Sequence, residues 1–535
     1  MTSLISNVQK PARTLALGLC LVLFTGTALA KVQLVAKWGR FEQSFKSSIH
    51  YDAPFQQCTL KVSFISPDGE TNEVYGFWDG GKVWRVRFSP DQPGRWTYRT
   101  SCSDLANQRL NDQTGEFLCT SPTGQSSFAH HGPVRLTRDR RHFEHADGSP
   151  FFWLADVAWN APRLSSSRDW ITYTQVRAGQ NFSAVQWAAA PGTDSKNHSA
   201  FSGQNRITVD PEYFRALDEK VEMMNRAGLL SVIAPLWGNG GAANDLPEDQ
   251  TTLLVRYMTA RWGAYDVVWL LTTDENGSAR SLRIGRTIFS GMQHAPVIVF
   301  PGAVASGFDE FQNEDWVDAF GFGLGQNMNN DSLEWLVAGP LRREWTKDPV
   351  RPLINVLPPL ENGIAAQGQE RIMADDVRRM AWWSLLLTPP VGVSYGAQDV
   401  ATWNVLKQSN LPTWQLSLFL PGAKQMSQIA EFFTSTDYQA LHPAPRSVAS
   451  QPGRSAPSRY IATAETDAKN LSVTYIPEDR TLELYLNALP TSPGIQWLNP
   501  RTGQRSPAVA VVGTSTCQLP TPAAGDWVLE MKSGK

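Results

Sequence analysis

The stretch DVVWLLTTDEN, residues 266–276, decides the fold. It begins with an apolar run of strand length and ends in two threonines followed by Asp274, Glu275 and Asn276. A short apolar run of this kind is typical of a parallel strand that is buried on both faces. The polar end predicts that the strand finishes at the edge of a sheet, where side chains can meet a ligand.

Seven further apolar runs have the same character, and amphipathic segments separate most of them. The runs are PFFWLADVAWN (150–160), FSAVQWAA (182–189), LLSVIAPLW (229–237), APVIVFPG (295–302), VDAFGFGLG (317–325), RPLINVLPP (351–359) and VGVSYGA (391–397). Helices are predicted over 167–179, 211–227, 247–262, 278–290, 332–345 and 370–387. Eight strands alternating with helices predict a (β/α)8 TIM barrel. A doubly wound sheet is the alternative, but no GxGxxG motif follows the first strand.

The segments on both sides of the barrel alternate apolar and polar residues, as the strands of a β-sandwich do. TLKVSFIS (59–66) and GRWTYRTSC (94–102) are examples before the barrel, and TLELYLNA (481–488) is one after it. A Pro/Ser-rich segment precedes the last group of strands. We expect a β-sandwich over 31–125, the barrel over 126–442, and a linker with a second β-sandwich over 443–535.

The first thirty residues have the pattern of a secretory signal peptide. Lys10 and Arg13 precede an apolar run that ends in small residues at positions 28 and 30. This pattern predicts cleavage after Ala30 and a secreted or periplasmic protein. No later segment is long and apolar enough to predict a transmembrane helix.

Charge and cysteine spacing make several partners and cofactors unexpected. The chain has 48 basic and 50 acidic residues, which gives no support for nucleic-acid binding. The cysteines form no CxxC pair and the eight histidines no HExxH motif, so neither a metal site nor another cofactor is expected. Cys102 and Cys119 could join neighbouring strands as a disulfide or remain free thiols, and both possibilities stay open.

The expected C-terminal ends of the barrel strands combine carboxylates, tryptophans and amides. The candidate residues are Asp156, Trp159, Asn160, Gln186, Trp187, Trp237, Asp274, Glu275, Asn355, Glu361, Tyr395 and Trp403. Apolar sugar faces stack on indole rings, and sugar hydroxyls need polar partners. Glycoside hydrolysis also needs one protonated and one ionised carboxyl group. A carbohydrate site at this end of the barrel is therefore predicted, with Asp156, Asp274 and Tyr395 in one pocket.

Ser394 offers a different chemistry. With Gly392 and Gly396 it matches G-x-S-x-G, the nucleophile elbow of serine esterases. That elbow requires a helix directly after the serine and a histidine further along the chain, and His442 is the only downstream histidine. A serine carbohydrate esterase is therefore kept as an alternative.

Five stretches of the chain resemble a group of bacterial extracellular proteins. They are KWGRFEQSFKSS (37–48), GFWDGGKVWRVRFSPDQPGRWTYRT (76–100), GPVRLTRDRRHFEHADGSPFFWLADVAWN (132–160), LPEDQTTLLVRYMTARWGAYDVVWLL (246–271) and DDVRRMAWWSLLLTPPVGVSYG (375–396). In that group a β-sandwich called DUF5060 precedes an apiosidase-like (DUF4038) glycoside hydrolase barrel. WLNPRTGQ (497–504) and GDWVLEM (525–531) resemble its C-terminal sandwich of the collagen-binding type. The resemblance implies a retaining-type glycosidase with an acid/base after strand four and a nucleophile after strand seven.

The resemblance carries over to this chain only in part. The family ending Trp-Ile-Leu-Gly-Gly-Asp matches Trp269 to Asp274, which gives Asp274 the acid/base role. Where the family has its nucleophilic glutamate after strand seven, this chain has Leu357, and a leucine cannot attack an anomeric carbon. The family's next glutamate is kept as Glu361, which becomes the expected second carboxylate, with Glu275 as a further candidate.

Two functions of different classes follow from these residues. The first is an exported glycoside hydrolase-like protein that acts on a polysaccharide or oligosaccharide. The second is a catalytically inactive glycan-binding protein that keeps the barrel as a recognition surface. The observation that distinguishes these two functions is whether the carboxyl group of Glu361 reaches the pocket that faces Asp274.

Overall fold

The computed structural model describes residues 32–190, 192–237, 246–273, 278–304, 307–366, 368, 370–408, 411–490 and 493–533. Three bodies follow one another along the chain: a β-sandwich, a barrel of parallel strands, and a second β-sandwich. Among the helices in these ranges, none is both long and apolar enough to span a membrane.

Eight parallel strands form the barrel. In chain order they are Trp153–Val157, Ala184–Ala190, Leu230–Leu236, Val267–Thr272, Val297–Phe300, Ala319–Gly323, Leu353–Leu357 and Gly392–Ala397. Each strand pairs with its neighbour, and the first strand also pairs in parallel with the eighth. This pairing closes the sheet and confirms the predicted (β/α)8 fold.

The helices pack around the barrel, close to their predicted positions. The longer ones are Ser167–Gly179, Pro211–Arg226, Glu248–Trp262, Ala279–Phe289, Asn330–Ala338, Ala374–Leu387 and Pro421–Thr434. Shorter helices lie at Ala161–Leu164, Leu341–Glu344, Gln398–Thr402 and Thr413–Ser417, and a 3-10 helix spans Gly307–Phe311. The helix predicted over 332–345 is two helices, because Pro340 cannot donate a backbone hydrogen bond inside a helix.

Alternate residues of each barrel strand face the lumen and the surrounding helices. In the first strand, Trp153 and Ala155 belong to the lumen core, while Leu154 packs in the layer between strands and helices. A small sheet of Val134–Leu136, Phe143–His145 and Pro150–Phe151 adds Phe143 and Phe151 to the lumen core. Because this sheet directly precedes the first strand, it covers the N-terminal end of the barrel and leaves the C-terminal end as the mouth.

The N-terminal β-sandwich consists of two sheets and a short helix, Pro54–Gln57, and its strands are antiparallel except that Gln33–Ala36 pairs in parallel with Thr114–Thr120. One sheet contains Gln33–Ala36, Leu60–Ile65, Thr71–Tyr75, Gly94–Cys102 and Thr114–Thr120. The other contains Phe41–Lys46, Phe77–Trp78 and Val83–Phe88. Their facing side chains form one aromatic core, in which Phe64 stacks on Phe88 with ring centroids 4.2 Å apart.

The C-terminal β-sandwich also has two sheets. The larger contains Leu441–Pro443, Ala462–Thr466, Leu471–Ile476, Pro493–Leu498, Arg505–Pro507 and Trp527–Ser533. The smaller contains Thr481–Tyr485, Val511–Val512 and Thr516–Pro520. The Pro/Ser-rich segment between 444 and 460 folds into three 3-10 turns, and Val448 within it is buried in the core of this sandwich.

Candidate functional site

An aromatic stack lies at the mouth of the barrel. Trp159 follows strand one, Trp237 follows strand three and Phe300 ends strand five. The rings of Trp159 and Trp237 are 4.0 Å apart between centroids and 17° from parallel. Phe300 stacks on Trp237 at 5.7 Å and 21°. Trp159 and Trp237 are partly exposed at the mouth, where Trp237 stacks on both of the other rings.

Backbone hydrogen bonds fix this stack to the sheet. The amide of Ala188 donates to the carbonyl of Trp159 at 3.0 Å, and the amide of Trp237 donates to the carbonyl of Ala190 at 3.0 Å. Strand two therefore holds both tryptophans from its own C-terminal end. Such preorganisation lowers the entropy lost when a ligand stacks on the rings.

Below the mouth, the lumen contains a short polar chain. Gln186 donates to the carbonyl oxygen of Val356 at 2.7 Å, and the hydroxyl of Ser394 donates to the side-chain oxygen of Gln186 at 3.4 Å. The indole of Trp153 donates to Ser394 at 3.4 Å. Ser394 is thus buried beside an amide and an indole, while His442 pairs with Asp467 of the C-terminal sandwich. Within the part of the chain that the structure describes, Ser394 therefore has no histidine contact of the kind that a serine esterase requires.

Leu357 occupies the end of strand seven at the mouth. Its side chain is half-buried and packs against the lumen core. Its carbonyl oxygen accepts from the amide of Gly325 at 2.9 Å, and a Cβ on Gly323 would lie 2.7 Å from the Cβ of Leu357. The position that carries a nucleophile in the resembling family is therefore filled by a closely packed apolar side chain.

The two carboxylates predicted after strand four, Asp274 and Glu275, lie outside the described residues. The threonines just before them are held by the neighbouring strands. The hydroxyl of Thr272 donates to the carbonyl oxygen of Leu236 at 3.3 Å, and that of Thr273 donates to the carbonyl oxygen of Pro301 at 3.0 Å. Strand four therefore ends at the mouth, between strands three and five.

Asp156 lies on the outer face of strand one, which differs from the prediction that it lines the sugar pocket. Its carboxylate accepts from Arg177 Nε and from the Tyr173 hydroxyl, both at 2.7 Å, on the helix Ser167–Gly179. All three side chains are buried. Burial raises the pKa of Asp156, and the Arg177 guanidinium opposes the shift. Because side chains alternate along a strand, Asp156 and the lumen-facing Ala155 point to opposite faces.

Glu361 and Tyr395 also lie on the outer face, next to Arg177. The Tyr395 hydroxyl donates to the Glu361 carboxylate at 2.6 Å, and the Arg177 guanidinium lies 5.7 Å from the Tyr395 ring. The second oxygen of Glu361 accepts from the amide of Gly422 at 3.2 Å. Burial raises the pKa of Glu361, and the two hydrogen bonds oppose it. The carboxyl group predicted to be the second catalytic carboxylate is therefore directed at a helix, away from the mouth.

Four other predicted residues hold the barrel and its helices together. Trp187 donates to Ser231 Oγ at 2.8 Å on the outer face of the strands, and Trp403 stacks on Trp414 at 4.1 Å. Asn355 donates to Ser384 Oγ at 3.0 Å, and Asn160 accepts from Arg163 at 2.6 Å. Trp187, Trp403 and Asn355 are buried in this outer layer, whereas Asn160 is half-buried beside the mouth.

The structure thus separates the predicted site into two groups. Trp159, Trp237 and Gln186 meet at the mouth or in the lumen. Asp156, Tyr395 and Glu361 come together as well, but outside the barrel. Phe300 belongs to the mouth and was not predicted; its place at the end of the apolar run 295–302 is the signal that could have identified it.

Two family models match the chain. The model described as "Apiosidase-like, catalytic domain" matches residues 137–440, and the DUF5060 model, a domain of unknown function, matches residues 34–103. These matches confirm the resemblance for the barrel and for the sandwich before it. The search of curated proteins gives no match for this chain.

Solved structures share the fold at low sequence identity. One is a glycoside hydrolase with a TM-score of 0.66 and 16% identity, covering 77% of this chain and 99% of its own. A family 5 glycoside hydrolase from Bacteroides vulgatus ATCC 8482 has a TM-score of 0.67 and 16% identity, covering 77% and 95%. A third structure, from the same organism, has a TM-score of 0.68 and 16% identity and covers 94% of this chain and 100% of its own.

The solved structures show that this chain has the fold of these glycoside hydrolases. The apiosidase-like model spans more than half of the chain. The chain therefore belongs to the family of proteins with an apiosidase-like catalytic domain.

Proposed function

We propose that the mouth of the barrel binds a carbohydrate and that the sugar ring packs on the Trp159–Trp237 pair. The observation that carries this proposal is the 4.0 Å stack of two partly exposed indoles at the C-terminal end of a glycosidase-type barrel. Indole faces suit the apolar faces of sugar rings. In TIM-barrel enzymes this end of the barrel is where substrates bind.

Hydrolysis is the second candidate function, and family membership favours it. Asp274 would act as the general acid/base, as the strand-four motif implies. Its partner would be Glu275, because Leu357 has no carboxyl group and the Glu361 carboxylate contacts Tyr395 and Gly422 on the outer face. The proposal therefore does not include a double-displacement mechanism with a nucleophile at the end of strand seven.

Export belongs to the proposal too. The basic and apolar pattern before Lys31 supports cleavage after Ala30 and a protein that meets its glycan in the periplasm or outside the cell. N-terminal sequencing of the protein recovered from those fractions tests this, and an intact Met1 chain in the cytoplasm would contradict it.

Calorimetric titration against a panel of plant and microbial polysaccharides tests the binding site. Trp159→Ala and Trp237→Ala should each weaken binding by roughly 10-fold or more, because the two indoles support each other and the loss of either breaks up the stack. Trp403→Phe is the matched control, since Trp403 stacks on Trp414 in the outer layer and should leave affinity unchanged. Equal losses in all three variants would contradict a site at the mouth.

Reducing-sugar release from any polysaccharide that binds separates the two candidate functions. If the protein hydrolyses it, Asp274→Asn and Glu275→Gln should abolish turnover while leaving affinity within a few-fold. Glu361→Gln should retain turnover after correction for folded fraction. A protein that binds tightly and releases no sugar would have a recognition function alone.

A further inference from the structure

Two cysteines meet in the core of the N-terminal sandwich. Cys58 Sγ and Cys102 Sγ are 3.4 Å apart, and both side chains are buried. Cys58 directly follows the short helix Pro54–Gln57, and Cys102 is the last residue of the strand Gly94–Cys102. We infer that Cys58 and Cys102 form a disulfide when the protein meets a disulfide oxidant, and that this bond fixes the helix that docks the sandwich on the barrel.

The structure selects this pair over the one considered from sequence. Cys102 lies opposite Leu60, whereas Cys119 lies opposite Gly94, at the other end of the same strand. Cys119 Sγ instead contacts the carbonyl oxygen of Thr120 at 3.6 Å. A cross-strand bond between Cys102 and Cys119 would need a change of register, so the Cys102–Cys119 possibility is wrong for this fold. Cys517 is buried in the C-terminal sandwich.

The local backbone already brings the two sulfurs onto one face. The amide of Thr59 donates to Ser103 Oγ at 2.9 Å, and the amide of Ser103 donates to the carbonyl oxygen of Thr59 at 2.9 Å. This pairing extends the ladder past Leu60 and carries Cys58 to the end of the neighbouring strand. To form the bond, the two sulfurs must move closer together. The backbone pairing around them does not need to change.

Oxidation proceeds by two exchange steps. The Cys102 thiolate attacks one sulfur of a disulfide such as glutathione disulfide, forms a mixed disulfide and releases one glutathione thiolate, which takes a proton. Cys58 then loses its proton and attacks Cys102 Sγ, which releases the second glutathione. The two cysteines are oxidised by two electrons, and the oxidant gains two electrons and two protons. The hydrogen bond with Cys58 lowers the pKa of Cys102 to about 7, which favours Cys102 as the attacking thiolate.

The bond would hold a helix that contacts the barrel. Within Pro54–Gln57, the Phe55 ring packs edge-on against Tyr257 with centroids 5.8 Å apart. The Gln56 side chain donates to the carbonyl oxygen of Ile207 at 2.8 Å and to Gln250 Oε1 at 2.7 Å. Because Cys58 directly follows this helix, a link to Cys102 ties these barrel contacts to the central strands of the sandwich.

Peptide mapping of the full chain tests the bond itself. Protein incubated with glutathione disulfide and then denatured in an alkylating agent should yield a peptide that links Cys58 to Cys102, with Cys119 and Cys517 alkylated. Prior reduction should remove the linked peptide. Alkylation of both Cys58 and Cys102 after oxidation, or a link from Cys102 to another cysteine, would overturn the inference.

Thermal unfolding tests whether the disulfide strengthens the docking of the N-terminal sandwich on the barrel. The first unfolding transition of the oxidised protein should lie roughly 5 °C or more above that of the reduced protein, because the bond restricts the unfolded chain. Limited proteolysis between 46 and 60 should be slower in the oxidised form. Cys58→Ser should abolish both differences, and Cys119→Ser should keep them. Oxidised and reduced wild type can be compared directly, without a variant. Equal Tm values and equal cleavage rates in the two states would refute a role of the disulfide in docking.

Discussion

The carboxyl group of Glu361 illustrates how much of this protein depends on where a single side chain points. It lies four residues beyond Leu357, the end of strand seven, yet it accepts from Tyr395 at 2.6 Å and from the Gly422 amide at 3.2 Å on the outer face. Burial raises its pKa. These contacts keep the Glu361 carboxyl group away from the mouth. They also make the stability of the fold depend on whether Glu361 is protonated.

The sign of this dependence follows from the raised pKa. The folded protein holds the Glu361 proton more tightly than the unfolded chain, whose carboxyl has the ordinary pKa of 4.5. The stabilisation is therefore complete below 4.5 and is lost as the pH rises from there through the folded-state pKa. Glu361→Gln removes this titration. We expect the Tm of wild type relative to Glu361→Gln to be most favourable near pH 4 and to decrease towards pH 8.

Tyr395→Phe provides the control for that series. It removes the 2.6 Å hydrogen bond, which opposes the raised pKa of Glu361, but keeps the carboxyl group. Its Tm should therefore still decrease as the pH rises, with the decrease moved to higher pH. Differential scanning fluorimetry across the pH range is sufficient. A Tm difference between wild type and Glu361→Gln that stays constant with pH would show that Glu361 does not titrate in this way.

At the scale of an element, the helix Pro421–Thr434 packs against Glu361 through its first turn. Pro421 begins the helix, and Gly422 brings its backbone against the carboxylate. A Cβ on Gly422 would lie 2.3 Å from Glu361 Oε2 and 2.9 Å from Val377 Cγ2. A glycine is therefore required at position 422 because the Glu361 carboxylate lies so close to the helix backbone. The backbone conformation at this position does not itself require glycine.

Gly422→Ala should destabilise the protein by about 1–3 kcal/mol, as overpacking of a buried site does. Chemical denaturation measures the loss. In the Glu361→Ala background the same substitution should cost less, because the clashing carboxylate is gone. Gly179→Ala, at the end of the helix Ser167–Gly179 and with open space around the new methyl, should be neutral or slightly stabilising. Equal costs at both glycines would contradict the close approach.

At the scale of the whole molecule, buried ion pairs join the first sandwich to the barrel. Asp218, on the helix Pro211–Arg226, accepts from Arg87 of the sandwich at 2.7 Å and from Arg261 of the barrel at 2.8 Å. Arg261 also donates to Asp79 of the sandwich at 3.0 Å. Burial alone would raise the pKa of Asp218, but the guanidinium groups of Arg261 and Arg87 lower it. The carboxylate is therefore ionised and central to the interface.

Asp218→Asn should cost roughly 1–3 kcal/mol. It removes one of two carboxylate partners from each buried guanidinium group, since Arg87 keeps Glu42 and Arg261 keeps Asp79. Differential scanning calorimetry should show the sandwich transition separating from that of the barrel. The loss of stability should be full at neutral pH. It should shrink as the pH falls below 3.8, the ordinary pKa of an aspartate, and through the lower pKa of Asp218 in the folded protein. In that range the wild type loses the same charge.

The exposed pair Arg99–Asp112 offers a matched control within the same sandwich. Its side chains are 67% and 63% exposed, so Asp112→Asn should change stability little. If Asp112→Asn and Asp218→Asn have similar effects, the buried network does not hold the two bodies together.

The sequence by itself determined the order of the three bodies, the eight barrel strands and most of the helices. Apolar runs of strand length separated by amphipathic segments allow few other folds. It also identified Trp159 and Trp237 as residues of the barrel end, because each lies within two residues of the end of a strand.

Only the tertiary structure decided which side chains face the lumen. Barrel strands are apolar on both faces, so the sequence around Asp156 does not reveal that Ala155 points inward and Asp156 outward. The same ambiguity applies to Tyr395, and Glu361 belongs to a two-residue strand, Leu360–Glu361, that no local pattern specifies. The contact of Cys58 with Cys102 likewise depends on strand pairing across 44 residues of sequence. Local periodicity fixes the elements, whereas register and closure of the sheets fix which of their chemical groups meet.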